Sequence, residues 1–137
     1  MNNLYRELAP ISDAAWAQIE AEASRTLKRH LAARRVVDVA GPKGFDLPAV
    51  GTGHIQSIQA PGAGIQAAQR EAKMLVELRV PFELKRQAID DVERGATDSD
   101  WGPLKDAART MAFAEDRSVF EGYAAAGIQG IRQGSSN

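Results

Sequence analysis

Val76-Glu77-Leu78-Arg79-Val80-Pro81-Phe82-Glu83-Leu84 alternates apolar residues with polar residues or proline over nine positions. Strict period two predicts a β-strand with one apolar and one largely polar face. Pro81 has no backbone N–H to give to a ladder, so it predicts an edge position or a bulge. An edge strand is open to contact with another chain. Helical patterns flank this strand at both ends of the sequence, and together they predict an α+β fold.

On the carboxyl side, residues 85–94 predict a short helix, with Ala88, Ile89 and Val92 at helical spacing and Gly95 as its stop. The polar turn Thr97-Asp98-Ser99-Asp100 leads into a long helix over 103–126, with Pro103 in its first turn. Leu104, Ala107, Ala108, Met111, Ala112, Phe113, Val119, Phe120 and Tyr123 give that helix a broad apolar surface, which predicts burial on more than one side.

On the amino side, residues 40–68 hold six of the twelve glycines and prolines at 42, 48 and 61. This predicts a long arm, with His54-Ile55-Gln56-Ser57-Ile58-Gln59 as a weak strand inside it. A span of that length is usually functional or held by a partner. Val36-Val37-Asp38-Val39 is β-branched, ends at Gly41-Pro42, and predicts a short strand. Residues 12–33 predict the first long helix. Ser12 suits its cap, Asp13 suits the positive end of the dipole, and Ile11 and Trp16 are spaced as a hydrophobic staple. Trp16, Ile19, Ala23, Leu27 and Leu31 make one apolar stripe, with Gln18, Glu22, Arg25 and Arg29 mostly on other faces. Lys28, Arg29, His30, Arg34 and Arg35 gather at the carboxyl end, where positive charge is favoured.

A broad-faced helix needs a sheet or other helices against it. One good strand, two weak ones and one other long helix are too little cover.

The 137 residues suit one domain, and a net charge of −1 with mixed signs gives no bulk attraction for nucleic acid or an anionic membrane. The absence of cysteine excludes disulfides and thiolate metal sites, and suits a reducing cytoplasm. No stretch approaches the ~20 apolar residues that span a bilayer, and the opening Met1-Asn2-Asn3-Leu4-Tyr5-Arg6-Glu7 lacks the apolar core of a signal peptide.

Catalytic constellations are weak. His30 lies among cations and His54 lies in the arm, neither with the spacing of a metal site. Asp90-Asp91-x-Glu93-Arg94 reads as a solvated helix face, and Glu115-Asp116-Arg117 as a structural ion pair. Gly51-x-Gly53 and Gly62-x-Gly64 lack the lysine and the strand-to-helix context of a phosphate loop. No cofactor, metal or catalytic residue is expected.

Leu8-Ala9-Pro10, Trp16, Arg34 and Val37-Asp38-Val39 resemble the amino terminus of encapsulin shell proteins. So do Ile89-Asp90-Asp91-Val92-Glu93-Arg94-Gly95 and Ala114-Glu115-Asp116-Arg117-x-Val119-Phe120-x-Gly122, in the same order along the whole chain. The style is similar to the actinobacterial, mycobacterium-like members. The resemblance implies an HK97-like phage-capsid fold, here partial. Residues 1–40 would be an interior-facing helix and strand, 41–84 the extended E-loop arm, and 85–137 the first part of the peripheral domain with its spine helix. The axial domain would be missing from this chain.

The resemblance also implies a non-enzymatic shell subunit that binds the carboxyl-terminal tail of a cargo protein, such as a dye-decolorising peroxidase or a ferritin-like protein. Leu27, Leu31, Arg34, Val36 and Asp38 match the docking groove by position. The leucines offer apolar pockets, and the charged pair offers charge-assisted hydrogen bonds; the plainer alternative is that Leu27 and Leu31 are ordinary core. Family members are roughly twice as long, and the chain stops at Gly134-Ser135-Ser136-Asn137, where the family has a surface loop. The expectation is a split shell protein. Its partners would be a complementary carboxyl-terminal half and further copies in a closed cytoplasmic shell of on the order of sixty subunits. Nucleic acid and membrane are not expected partners. A fragment of a phage major capsid protein and a small hydrolase are the alternatives weighed.

Overall fold

The computed structural model describes residues 6–134. The opening at 1–5 and the loop break at 135–137, both read above from sequence, lie outside the described residues. Two compact units emerge. The first joins the chain up to Ala33 with Leu78–Arg117, and the second joins Arg34–Glu77 with the residues from Ser118 onward.

The first unit is built on helices α1 (Asp13–His30), α2 (Arg86–Glu93) and most of α3 (Gly102–Phe120). Ser12 caps α1, its Oγ accepting the Ala15 N–H at 3.1 Å, and Ile11 and Trp16 pack beside the core as the staple spacing predicts. α2 ends in a Schellman motif. Gly95, at φ 99°, donates to the Val92 carbonyl, and Ala96 donates to the Asp91 carbonyl. The Ala96 carbonyl in turn accepts from Gln18 Nε2 at 3.2 Å, tying that turn to α1. Ala15, Ile19, Ala88, Val92, Trp101 and Leu104 form the core, with Leu84 and Ile89 against it.

Several expectations need correction. α1 stops at His30, short of the end of the expected 12–33 span, although Leu31-Ala32-Ala33-Arg34-Arg35 is a run of good helix formers. Its fully buried face carries Ala15, Ile19, Glu22 and Thr26, while Trp16, Ala23, Leu27 and Leu31 lie half-buried along its flank. The polar Glu22 thus sits on the buried side, because Lys105 of α3 reaches it there. α3 ends at Phe120, short of 126, because Gly122 adopts φ 90° and turns the chain.

Val36–Val39 forms no strand; a 3₁₀ turn, Ala33–Arg35, precedes it and no ladder reaches it. Residues 76–84 also belong to no ladder. Alternation shapes an extended segment, but only a partner strand makes it a sheet.

The second unit carries a two-stranded antiparallel hairpin, β1 (Ala49–Ile58) and β2 (Ala67–Met74), which absorbs the weak strand expected at 54–59. Its register pairs Ala49 with Met74 and Ile58 with Ala67, broken between Gly51 and Ile55 by a bulge at Gly53, φ 83°. The carboxyl-terminal loop folds back through paired Tyr123 and Ile128, and Gly122 lies against Gly130.

Six of the ten buried apolar residues are alanine, and among the described residues no large side chain is fully enclosed. Seventeen large apolar side chains among the described residues are exposed instead. An alanine-rich core beside exposed large apolar side chains fits the shortage of cover expected from the sequence. Among the described residues no helix is long and apolar enough to cross a membrane.

Candidate functional site

The carboxyl end of α1 is set by a residue far along the chain. Leu31 donates its N–H to the Leu27 carbonyl at 2.8 Å, closing the last turn. The next two amides leave the helix. Ala32 N–H donates to the Asp116 carboxylate at 3.0 Å, and Ala33 N–H donates to Asp116 Oδ1 at 3.0 Å. In a continuing helix they would bond to the carbonyls of Lys28 and Arg29. A charged acceptor makes the stronger hydrogen bond, so Asp116 ends the helix where propensity would extend it. Within Glu115-Asp116-Arg117, where an ion pair was expected, Asp116 thus acts on backbone amides.

Leu27 and Leu31, one turn apart, are both half-buried on this flank. His30 lies between them in sequence and meets Phe113 of α3 edge-on, with ring centroids 5.7 Å apart. Phe113 is 53% exposed, so α3 shows an aromatic surface beside His30. Arg34, Val36 and Asp38 belong to the second unit, all exposed, with Val36 at 64%. The structure therefore joins the end of α1 to α3 through His30 with Phe113 and through Ala32 and Ala33 with Asp116. Sequence reasoning missed Phe113, which it assigned to a buried face. It also missed what Asp116 does; the one available signal was a run of helix formers needing a reason to stop.

Several other charged groups form ion pairs within or between helices. Glu22, 8% exposed, accepts from Thr26 Oγ1 at 3.2 Å, pairs with Arg25, and lies 3.9 Å from Lys105 Nζ. This links α1 to α3. Asp90 faces Arg86 at 3.7 Å and Asp91 pairs with Arg94, the solvated helix face expected for that cluster. Near the start of α1, Arg6 lies over the Trp16 ring at 4.7 Å and pairs with Glu20. No group of three metal-ligating side chains occurs among the described residues.

The hairpin is exposed along most of its length. Along β1 only Ala49 and Thr52 are partly covered, and along β2 only Ala67. Val50, Ile55, Ile58 and Met74 are open, and they fall on both faces of the ribbon. An isolated two-stranded hairpin is marginal in water, and a ribbon without cover on either face is built to lie against something else.

The model of a family described as "Encapsulating protein for peroxidase" matches residues 1–137. A type 1 encapsulin shell protein of Rhodococcus erythropolis is 62% identical over 137 residues, covering all of this chain and 52% of the relative. The corresponding protein of Mycobacterium tuberculosis is 61% identical with the same coverage, and that of Rhodospirillum rubrum is 49% identical over 142 residues. The chain spans about half the length of these curated relatives, matching their amino-terminal half. With a family model matched from end to end, the chain belongs to the encapsulin shell-protein family.

Proposed function

We propose that this chain is the amino-terminal half of a structural shell subunit with a partial HK97-like fold, and that it has no catalytic role of its own. A complementary carboxyl-terminal half completes the subunit, and copies of the completed subunit close into an icosahedral cytoplasmic compartment. The observation that carries this reading is the bare hairpin Ala49–Met74, exposed on both faces, which suits an arm that lies on neighbouring subunits. The alanine-rich core beside seventeen exposed large apolar side chains supports a second polypeptide as cover.

Inside the shell, Leu27, Leu31, Arg34, Val36 and Asp38 receive the carboxyl-terminal tail of a cargo protein. A peroxidase is the cargo class named by the family description; a ferritin-like protein is the other. Half-buried leucines on the flank of α1 leave apolar surface for such a peptide, and exposed Arg34 and Asp38 can fix its backbone.

Negative-stain microscopy of the purified material, with the intact mass of every chain in it, tests the assembly. Uniform hollow particles containing this chain and a second polypeptide that continues the family sequence are expected. A stable, folded, lone monomer would overturn the reading.

A further inference from the structure

Leu31 is where the chain leaves α1. Its N–H closes the last helical turn, yet its own backbone is extended, at φ −72° and ψ 119°. A helical residue has ψ near about −42°, so the departure begins at this one torsion. Nothing nearby in the sequence stops the helix. Ala32, Ala33, Arg34 and Arg35 are all strong helix formers, and the next glycine and proline are Gly41 and Pro42. What stops it is the Asp116 carboxylate, which takes the Ala32 and Ala33 amides at 3.0 Å each.

An α1 that ran on would change the face that carries Leu27 and Leu31. Arg34 would fall three residues beyond Leu31 and seven beyond Leu27, on their stripe, and Arg35 four beyond Leu31. Side chains on a helix lean toward its amino end. Both arginines would therefore lie back over Leu31, with their methylene stems on its apolar surface and their charges at the rim. In the observed chain Leu31 has left the helix, and Arg34 and Arg35 sit in the 3₁₀ turn Ala33–Arg35. Both leucines keep part of their surface open to solvent.

We infer that Asp116 is a positioning residue for cargo docking, resting on the reading above that Leu27 and Leu31 receive a cargo tail. Its carboxylate holds α1 at His30, and that stop keeps Arg34 and Arg35 off the leucines. The tail meets apolar surface only while the helix is short.

Rescue by a second helix stop tests this. Ala32→Pro removes the N–H that would bond to the Lys28 carbonyl, and the ring holds the preceding residue at ψ of about +120 to +160°. Leu31 already has ψ 119°, and Ala32 is exposed. The double variant Asp116→Ala/Ala32→Pro therefore lacks the carboxylate bonds and still cannot extend α1. Particles are formed from this full chain and the carboxyl-terminal remainder of the Rhodococcus erythropolis relative. The probe is a tagged dye-decolorising peroxidase carrying its carboxyl-terminal tail, with the tail-less enzyme as blank, and cargo per particle is read. With about one chain in ten left in the short-helix state, Asp116→Ala should retain about 10-fold less cargo. Asp116→Asn should fall between, and the double variant should return to within about 2-fold of the unsubstituted chain. Backbone chemical shifts of residues 32–35 should turn helical in Asp116→Ala and not in the double variant.

Full cargo in Asp116→Ala, with Leu31→Asp depleted in the same assay, overturns the inference and leaves the docking reading standing. A loss that the double variant does not recover also overturns it, because Asp116 then acts through stability and not through the helix stop. Full cargo in both Asp116→Ala and Leu31→Asp removes the docking reading and the inference together. Asp116→Asn, which keeps one acceptor, carries the same comparison if Asp116→Ala forms no particles.

Discussion

The Ala33 amide lies 3.0 Å from Asp116 Oδ1, joining residues 83 positions apart, and Ala33 itself has no exposed surface. One carboxylate thus fixes the end of α1. Asp116→Ala removes the acceptor of two amides and should destabilise the first unit by about 2 kcal/mol. Because Ala32 and Ala33 can then bond to Lys28 and Arg29, helical content should not fall with stability. Backbone chemical shifts of residues 31–35 should move toward helix. Asp116→Asn keeps one oxygen and should give an intermediate result. Shifts that move toward random coil would show that the loop is held by something other than this carboxylate.

Glu22 offers a different balance. Its carboxylate is buried, but its cationic partners Arg25 and Lys105 keep 68% and 50% of their side chains exposed. Removing it leaves no buried charge stranded, since both cations can turn to water. Glu22→Leu should therefore be neutral or stabilising by up to about 1 kcal/mol in urea unfolding, because apolar burial replaces a desolvated ion pair. A loss of several kcal/mol would mean that Glu22 organises α1 against α3 in a way packing cannot replace.

These two residues also mark the limits of legibility in the sequence. What depends on neighbours in the chain was readable. The cap at Ser12 and the stop at Gly95 were both expected and both observed, because each is settled within a few residues. What depends on distant partners was not readable. The end of α1 belongs to Asp116, and the buried place of Glu22 belongs to Lys105. Residues 36–39 and 76–84 have strand composition, but a ladder needs a second strand, and β1 and β2 pair only with each other. Of the proposed docking residues, Leu27 and Leu31 were legible as one stripe, while the aromatic surface of Phe113 against His30 was not.

Gly130 and Gly122 support the carboxyl-terminal loop by closeness. A Cβ on Gly130 would collide with the Gly122 nitrogen and the Glu121 carbonyl carbon and lie 2.7 Å from the Phe120 carbonyl oxygen, all backbone atoms that cannot swing aside. Gly127, in the same loop, has φ 70° and open space around it. Gly130→Ala should melt the loop, at a local cost of about 3 kcal/mol, whereas Gly127→Ala should cost about 1 kcal/mol from its left-handed backbone alone. Amide exchange at Tyr123 and Ile128, which pair across the loop at 2.9–3.0 Å, separates the two. Equal exchange in both variants would show that the close approach is not what holds the loop.

Assembly and cargo capture should separate by mutation, because they draw on different surfaces. Ile55 sits on the hairpin and is 64% exposed, so Ile55→Asp should change the stability of the chain by less than about 0.5 kcal/mol. On an arm that lies against a neighbour, the same charge is desolvated without a partner, and particles should be lost. Leu31 lies elsewhere, at the C-cap of α1, half-buried beside Leu27. Leu31→Asp keeps the N–H that closes the last turn, and the new carboxylate points to a flank that already meets solvent, so particles should form. Its charge disrupts the apolar surface proposed to receive a cargo tail, and the cargo retained per particle should fall by about 10-fold or more. Copurification of a tagged cargo with sized particles reads both quantities in one experiment. Particles lost with Leu31→Asp would make Leu31 an ordinary core residue, and cargo retained at full level would move the docking surface away from the end of α1.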